Sequence, residues 1–383
     1  MNAACLSDLR EGLCQTRVDA AFLTDHPDLA ADQSFEALFH HQDADVWVDV
    51  QGAPRGNLIR CDNGHEVLWM PGIEDELMPV SLDRHVSETA EENDRLYNGS
   101  DEESILAEQA AGAAVFVAHT EGRVAADLER LQDQGLAGVE IFNLHAMFAP
   151  DIREADLDLD GFSWLADMEP FTAPEALGEP DLMFLAVLQD QRPSLERWDA
   201  LLQRGPMTGV GGTDAHQNVM PMDLRDGERW DSYRRMLRWF SNVIWVTEDG
   251  PDGYQAALEA GRSFVAFEIL GTPTGFDFYL DDGAAIYEMG SSAPAEGILE
   301  VGCPALTPDS PQGTEDPDIR VEVYRDGALW REGCGPHPTE GPGVYRVQVD
   351  LTPTHLREVL GDDPDRWMVP FPWIRSNAIR VGL

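Results

Sequence analysis

The sequence contains no lysine, and its acidic residues far outnumber its basic ones. All 26 basic residues are arginine, against 71 aspartates and glutamates, which gives a formal net charge of −45. A nucleic-acid interface or a polybasic membrane anchor needs clustered cationic side chains, so we expect neither nucleic acid nor a membrane as a partner. An acidic surface keeps a protein hydrated and soluble, and it carries no information about a reaction.

Long apolar segments and the features of a secretory leader are also missing. No apolar run reaches the roughly 18 residues of a membrane helix, and the first residues lack the basic start and apolar core of a signal peptide. We therefore expect a cytoplasmic protein. The 43% of hydrophobic residues, with ten tryptophans and fifteen phenylalanines, predict a packed core rather than disorder.

The five cysteines include no Cys-x-x-Cys pair, so we expect no structural zinc knuckle. Two pairs are close in sequence, Cys5 with Cys14 and Cys303 with Cys334, and either pair could form a disulfide in an oxidising compartment. Because cysteine thiols are frequently buried, we favour buried thiols over disulfides.

Two kinds of hydrophobic patterning meet near residue 270. Up to residue 268, short apolar runs alternate with helical patterns, which indicates an α/β fold, and the number of repeats favours a barrel. From residue 272, period-two alternation between Pro- and Gly-rich turns predicts a small antiparallel β-sandwich. We expect two domains, over residues 1–268 and 272–383. The strands predicted in the first domain span residues 20–24, 46–50, 57–61, 115–118, 138–142, 208–212, 242–246 and 264–267.

Histidines stand directly after several of these strands. His26, His119 and His216 occupy such positions, and Asp25 and Asp214 precede two of them. In an α/β barrel the carboxyl ends of the strands open onto one face, so we expect these side chains to converge. Imidazole and carboxylate ligands together suit Zn, Mn or Fe(II).

Two further residues follow apolar runs. Glu74 comes after a short one, and a carboxylate among imidazoles can bridge two metal ions. His145 follows the strand predicted over residues 138–142, but for this residue we favour the start of a helix. A single histidine at a strand end is more often structural, whereas the repetition at several strands favours a functional interpretation.

Five short segments resemble the motifs of the PHP domain family, which is named for polymerase and histidinol phosphatase. The resemblance covers roughly residues 1–268, and residues 370–377 are similar to the β-rich extension on one branch of that family. The matching segments are residues 22–26, residues 71–74 with His85 eleven residues on, residues 115–119, residues 138–143 and residues 212–216.

The resemblance implies a distorted (β/α)7 barrel that holds up to three divalent metal ions. Glu74 would bridge two ions, and His85 and His119 would complete one of them. The other bridged ion would take Asp214. The implied ligand set is His26, Glu74, His85, His119, Asp214 and His216.

His26 and His216 would hold the third ion in this arrangement. The resemblance implies that Asp25 orients a ligand or a water. Asp25 and Glu74 are thus the expected catalytic residues.

The family's first strand ends in a His-x-His motif that this sequence does not show. Only 23 residues precede Thr24, none of them is histidine, and they predict the helix that follows that strand. We therefore expect a barrel without its first strand. Either the native start lies further upstream, or the motif is truly lost with part of the activity. We favour the first explanation, because a barrel lacking a strand exposes two edges.

The expected function is metal-dependent hydrolysis of a small phosphorylated substrate by a metal-activated water. Two alternatives stay open. One is hydrolysis of a C–N bond, as in amidohydrolases, where strand-end histidines and aspartates also bind metals. The other is a degenerate PHP fold that serves as a binding module with weak or no catalysis. The sequence does not indicate an oligomeric state.

Overall fold

A computed structural model describes residues 3–215, 217, 221–308, 310, 313 and 315–383 of the chain. The chain divides into two compact units. Unit 1 comprises Met1–Glu140 and Ile244–Ala260, and unit 2 comprises Ile141–Val243 and Gly261–Leu383. The predicted α/β class is confirmed in its coarse form, as a mixed α/β fold, while the sheets among the described residues are open and do not confirm a closed barrel. The predicted boundary between residues 268 and 272 stays a prediction.

The helices are short, and several begin at capping side chains. Thr89 accepts a hydrogen bond from the Glu92 amide, and Asp101 accepts one from the Ser104 amide, as helix N-caps do. The α-helices are α1 (Ala3–Cys14), α2 (Pro27–Ala30), α3 (Ala90–Tyr97), α4 (Glu102–Ala110), α5 (Ala125–Asp133), α6 (Pro150–Ala155), α7 (Ser163–Thr172), α8 (Arg192–Arg204), α9 (Tyr233–Trp239) and α10 (Pro251–Glu259). Short 3₁₀ helices span Phe35–Phe39, Thr120–Gly122, His145–Met147, Pro180–Val187, Glu268–Leu270, Thr354–Val359 and Pro364–Trp367.

The strands predicted in the first region are all confirmed, with ends that differ by a few residues. The strands are β1 (Ala20–Asp25), β2 (Val46–Val50), β3 (Ala53–Arg60), β4 (Glu66–Ile73), β5 (Leu77–Val80), β6 (Ala114–Val117), β7 (Gly138–Asn143), β8 (Thr208–Gly212), β9 (Ser241–Ile244), β10 (Ser263–Ala266), β11 (Pro273–Thr274), β12 (Phe278–Asp281), β13 (Ile286–Glu288), β14 (Ser292–Ala293), β15 (Ile298–Val301), β16 (Ala305–Leu306), β17 (Asp318–Arg325), β18 (Ala328–Glu332), β19 (Gly335–Pro338), β20 (Gly343–Thr352), β21 (Phe371–Ser376) and β22 (Ile379–Val381).

The sheet of unit 1 is mixed rather than all parallel. β2 to β6 pair in sequence order as antiparallel neighbours, whereas β6 and β7 are parallel. The connections from β2 to β5 are short, and a parallel crossover needs a dozen or more residues, whereas α3 and α4 lie between the antiparallel strands β5 and β6. β1 lies beside β4 in parallel, and its last residue Asp25 is opposite Ile73. Residues that follow β1 and β4 therefore leave the sheet side by side.

The region after residue 272 is rich in strands, as the sequence predicts. One sheet of unit 2 has the order β14-β22-β20-β21-β10-β9, with β17 and β18 beside β20, and a smaller sheet has the order β13-β12-β15-β19. β10 pairs antiparallel with β21, with Ala266 opposite Ile374. A strand that sequence patterning assigns to the first domain thus belongs to the sheet of the C-terminal strands. Packing of two sheets into a sandwich stays a prediction.

Two polar side chains of residues 370–377 hold unit 2 together from within. Arg375 is buried, and its guanidinium donates to Asp190 and Asp350 at 2.8 Å. The amide of Asn377 accepts from Gly209 N at 2.7 Å and donates to the Gly209 carbonyl at 3.0 Å and to the Ser263 hydroxyl at 2.8 Å. These bonds satisfy buried backbone groups of β8 and so fix the strand that leads to Asp214.

Two disulfides correct the cysteine predictions. Cys14 pairs with Cys61, and Cys303 pairs with Cys334, so only the second proposed pair is confirmed. The pairing of Cys5 with Cys14 and the preference for buried thiols were wrong, because α1 places its last residue next to the residue after β3. Disulfides persist in oxidising compartments, so the two bridges weigh against the predicted cytoplasmic location, which stays a prediction. In the part of the chain described, no helix is both long and apolar enough to cross a bilayer.

We expect replacement of Arg375 by Met to destabilise the protein by about 3–5 kcal/mol, because it leaves two carboxylates without their buried partner. Chemical denaturation of the variant measures this loss. The control is Arg95→Met, since Arg95 pairs with Glu92 and Glu103 on an exposed surface and such pairs contribute roughly 1 kcal/mol or less. Equal losses in the two variants would contradict the structural role of Arg375.

Glu108 on α4 predicts a pH dependence of stability. It is fully buried, neither carboxyl oxygen has a hydrogen-bond partner, and burial raises its pKa from 4.5 to about 9. The folded state binds the carboxyl proton of Glu108 more tightly than the unfolded state does. The resulting contribution to the free energy of unfolding is therefore fully present below pH 4.5. It is lost as the pH rises towards 9.

We expect Glu108→Gln to remove this loss, which is on the order of 4 kcal/mol between about pH 5 and pH 8. The free energy of unfolding, measured against pH for both proteins, tests the expectation. Glu102→Gln, at the exposed start of the same helix, should leave the pH slope unchanged. A slope in Glu108→Gln equal to that of the wild type would show that Glu108 does not cause it.

Candidate functional site

Glu74 is the buried carboxylate on which strand-end residues of unit 1 converge. Its side chain is 9% exposed, and its Oε1 atom lies 3.4 Å from Nε2 of His119. The Thr24 hydroxyl donates to Oε2 at 3.2 Å. The Glu74 amide donates to the Asp25 carbonyl, which continues the parallel pairing of β1 with β4. The register of these strands therefore sets the position of this carboxylate.

His26 is oriented by the backbone of Glu74. Its Nδ1 atom lies 3.1 Å from the Glu74 carbonyl oxygen. A carbonyl oxygen only accepts hydrogen bonds, so Nδ1 carries a proton in this contact. A histidine that binds a metal ion through Nε2 commonly donates its Nδ1 proton to such a carbonyl oxygen.

Three buried carboxylates lie around His119, two at its imidazole and one at its backbone amide. Its amide donates to Glu140 at 2.9 Å, its Nδ1 lies 3.3 Å from Glu121, and its Nε2 faces Glu74. Burial lowers the pKa of His119, but the hydrogen bonds with Glu121 and Glu74 and the charge of Glu140 outweigh it and raise the pKa to about 11. The site therefore strongly favours a positive charge at this position.

The three carboxylates around His119 are not fully neutralised or hydrogen-bonded by protein groups. One oxygen of Glu121 and the hydroxyl of Thr120 are buried without a hydrogen-bond partner. Buried carboxylates are normally paired with cations or coordinate metals. The 3.4 Å between Glu74 Oε1 and His119 Nε2 is close to the separation of about 3.3 Å expected for two ligands of a tetrahedral ion with bonds of 2.0–2.1 Å. The donor set and its spacing fit a divalent metal ion.

Unit 2 presents a second histidine–carboxylate pair. Nδ1 of His145 lies 3.1 Å from Oδ2 of Asp214, whose side chain is 4% exposed. Asp214 has a left-handed backbone with φ 42°, as has His119 with φ 53°. Non-glycine residues rarely adopt this conformation, and those that do concentrate at functional sites.

The remaining predicted ligands are placed differently. Both ring nitrogens of His85 have hydrogen-bonding neighbours, the Tyr97 hydroxyl at 3.2 Å and the Gln33 carbonyl at 3.0 Å. The structure does not bring His85 to Glu74 and His119, so its role as a ligand stays a prediction that requires these contacts to break. His216 lies outside the described residues.

Sequence reasoning missed several residues of these groups. Glu121 and Glu140 surround His119, Thr24 contacts Glu74, and His145 contacts Asp214. Glu140 carried a signal, because a charged residue inside the apolar strand 138–142 needs a partner. His145 does begin a 3₁₀ helix, as predicted, and the contact with Asp214 could not be read from sequence.

Comparison of the chain with protein-family models, with curated proteins and with solved structures finds no match. The resemblance to the PHP family therefore rests on the residues named above and stays a prediction.

We expect Zn²⁺ or Mn²⁺ to raise the melting temperature of the metal-free protein, because a cation relieves the repulsion among buried carboxylates. An ion present at 100 times its Kd stabilises by about 2.7 kcal/mol. Differential scanning fluorimetry with increasing metal concentration measures the shift. His119→Ala should lose most of it, and His337→Ala, in surface strand β19, should keep it. A wild-type melting temperature that neither ion changes would contradict the assignment of a metal site.

Proposed function

We propose that the protein is a metal-dependent phosphoesterase of the PHP type, which hydrolyses a small phosphorylated substrate. The observation that supports this most directly is the burial of Glu74, Glu121 and Glu140 around His119. An anionic phosphate would be repelled by these carboxylates, so a cation has to be present before such a substrate binds.

The ligands proposed are those that the resemblance implies, of which Glu74, His119 and His26 have the contacts described above. A divalent ion held by such residues would lower the pKa of a bound water to roughly 7 and would neutralise charge on phosphoryl oxygens. The chain's own residues orient the ligands. Glu121 holds the His119 ring through Nδ1, which keeps Nε2 towards Glu74, and Thr24 restrains the Glu74 carboxylate.

The finer fold belongs to the same proposal. A PHP-like barrel places its ligands after the carboxyl ends of strands. In unit 1, three strands end just before a proposed ligand: β1 before His26, β4 before Glu74 and β6 before His119. The parallel pairs β1–β4 and β6–β7 are consistent with such an arrangement, and the antiparallel neighbours are departures from it.

One observation favours the alternative of a degenerate fold that binds without catalysing. The hydrogen bonds of His85 remove one implied ligand from the group. A protein of this kind would bind fewer ions than the family does and turn over no substrate. The same assay therefore separates it from the leading proposal.

We expect the metal-loaded protein to hydrolyse phosphomonoesters or phosphodiesters in a panel that also contains amides and cyclic ureas. Glu74→Gln keeps the shape but removes the charge that binds cations, and it should lower kcat/KM at least 100-fold. Asp25→Asn should lower it by about 10- to 100-fold, as loss of an orienting group does.

The control is Glu76→Gln, because Glu76 lies two residues further on and pairs with Arg123 at the surface. It should retain activity. No turnover of any phosphoester with Mn, Zn or Fe would contradict the proposal, and turnover of amides alone would assign a C–N hydrolase instead.

A further inference from the structure

We propose that His145 is a metal ligand that acts together with Asp214. This inference rests on the proposed function, since it assigns a further ligand to the same metal-dependent chemistry. The resemblance to the PHP family does not place His145 in the ligand set. Its position in the sequence predicts the start of a helix rather than a ligand.

Hydrogen bonds fix the turn that carries His145. The Asn143 side chain accepts from the Ala146 amide at 3.1 Å, which closes the turn around His145. Gln191 holds the backbone of Asn143 on both sides, accepting from its amide at 3.1 Å and donating to its carbonyl. The His145 ring is therefore presented from a fixed backbone rather than from a loose loop.

The same turn is tied to the segment that carries Asp214. The Leu144 amide donates to the Gly212 carbonyl at 3.1 Å, one residue before His145 and two before Asp214. Asn377 in turn holds Gly209 of β8 through both its amide and its carbonyl. The two side chains thus meet because both backbones are held, which is the preorganisation that a metal site requires.

The geometry of the pair matches two ligands of one ion. Nδ1 of His145 lies 3.1 Å from Oδ2 of Asp214, near the separation of about 3.3 Å for adjacent ligands with metal bonds of 2.0–2.1 Å. The Glu74–His119 pair of unit 1 has nearly the same separation, 3.4 Å. The Asp214 side chain is 4% exposed and that of His145 is 45% exposed, so an ion can reach the pair from solvent.

A different role would leave His145 as a hydrogen-bond donor that only orients the Asp214 carboxylate. The two roles differ in which atoms they need. An asparagine at position 145 can still donate to Asp214 from a position close to that of Nδ1, but its amide nitrogen cannot bind a metal and its carbonyl oxygen suits Mn²⁺ rather than Zn²⁺, so the Zn²⁺ titration decides. His145→Asn therefore separates a ligand from a positioning residue.

The test compares metal binding by the wild type, His145→Asn and His145→Ala, with His337→Asn as the matched control on strand β19. Metal content after loading and dialysis is measured by elemental analysis. Affinity is measured by calorimetric titration with Mn²⁺ or Zn²⁺, and the coordination sphere is read from the visible absorption spectrum with Co²⁺.

We expect both His145 variants to lose one bound ion relative to the wild type, or to bind that ion more than 100-fold more weakly, beyond the 10- to 100-fold cost of losing an orienting group. Their Co²⁺ spectrum should change, and the metal-free melting temperature of His145→Asn, which keeps a donor to Asp214, should stay that of the wild type. The His337→Asn protein should behave as the wild type does.

Wild-type stoichiometry, affinity and Co²⁺ spectrum in His145→Asn would overturn the inference and leave the proposed function standing. Binding by the wild type that His145→Asn loses, without turnover of any phosphoester, would support the inference and overturn the proposed function. A wild type that binds no metal would overturn both.

Discussion

In unit 1, the carboxylates of Glu74, Glu121 and Glu140 are buried around His119. Negative charge out of contact with water is costly unless a cation is near. The sequence has no lysine and a net charge of −45, so few side chains can meet this demand. The acidic composition, from which we expect neither nucleic acid nor membrane partners, also makes a metal ion the natural counter-charge for the proposed phosphate substrate.

The ends of strands position the proposed metal ligands. β1 and β4 are parallel, so the residues that follow them emerge together. In unit 2, hydrogen bonds of Asn143, Leu144 and Asn377 hold the backbones that carry His145 and Asp214. Both groups combine a buried carboxylate with an imidazole about 3 Å away, and both include a residue in the left-handed conformation.

The hydrophobic pattern of the sequence predicted many of the strands, because buried strands consist of short apolar runs. It missed β4, which contains proline and glycine and has no period-two alternation since nearly all of it is buried. The hydrophobic pattern could not predict which residues distant in sequence pair with each other. Cys14 bonds to Cys61 rather than to Cys5 because of where α1 ends. Likewise, motif spacing identified Glu74 and His119, but it could not show that His85 contacts Tyr97 and Gln33 or that His145 faces Asp214.

The central claim is that the carboxylate group around His119 holds a divalent metal ion. Anomalous X-ray scattering from crystals of the protein grown with Zn²⁺ or Mn²⁺ tests this most directly. We expect an anomalous peak within coordinating distance, about 2.2 Å, of Glu74 Oε1 and His119 Nε2. A crystal that contains the metal but shows no peak there, with the His119 ring still in contact with Glu74 and Glu121, would contradict it.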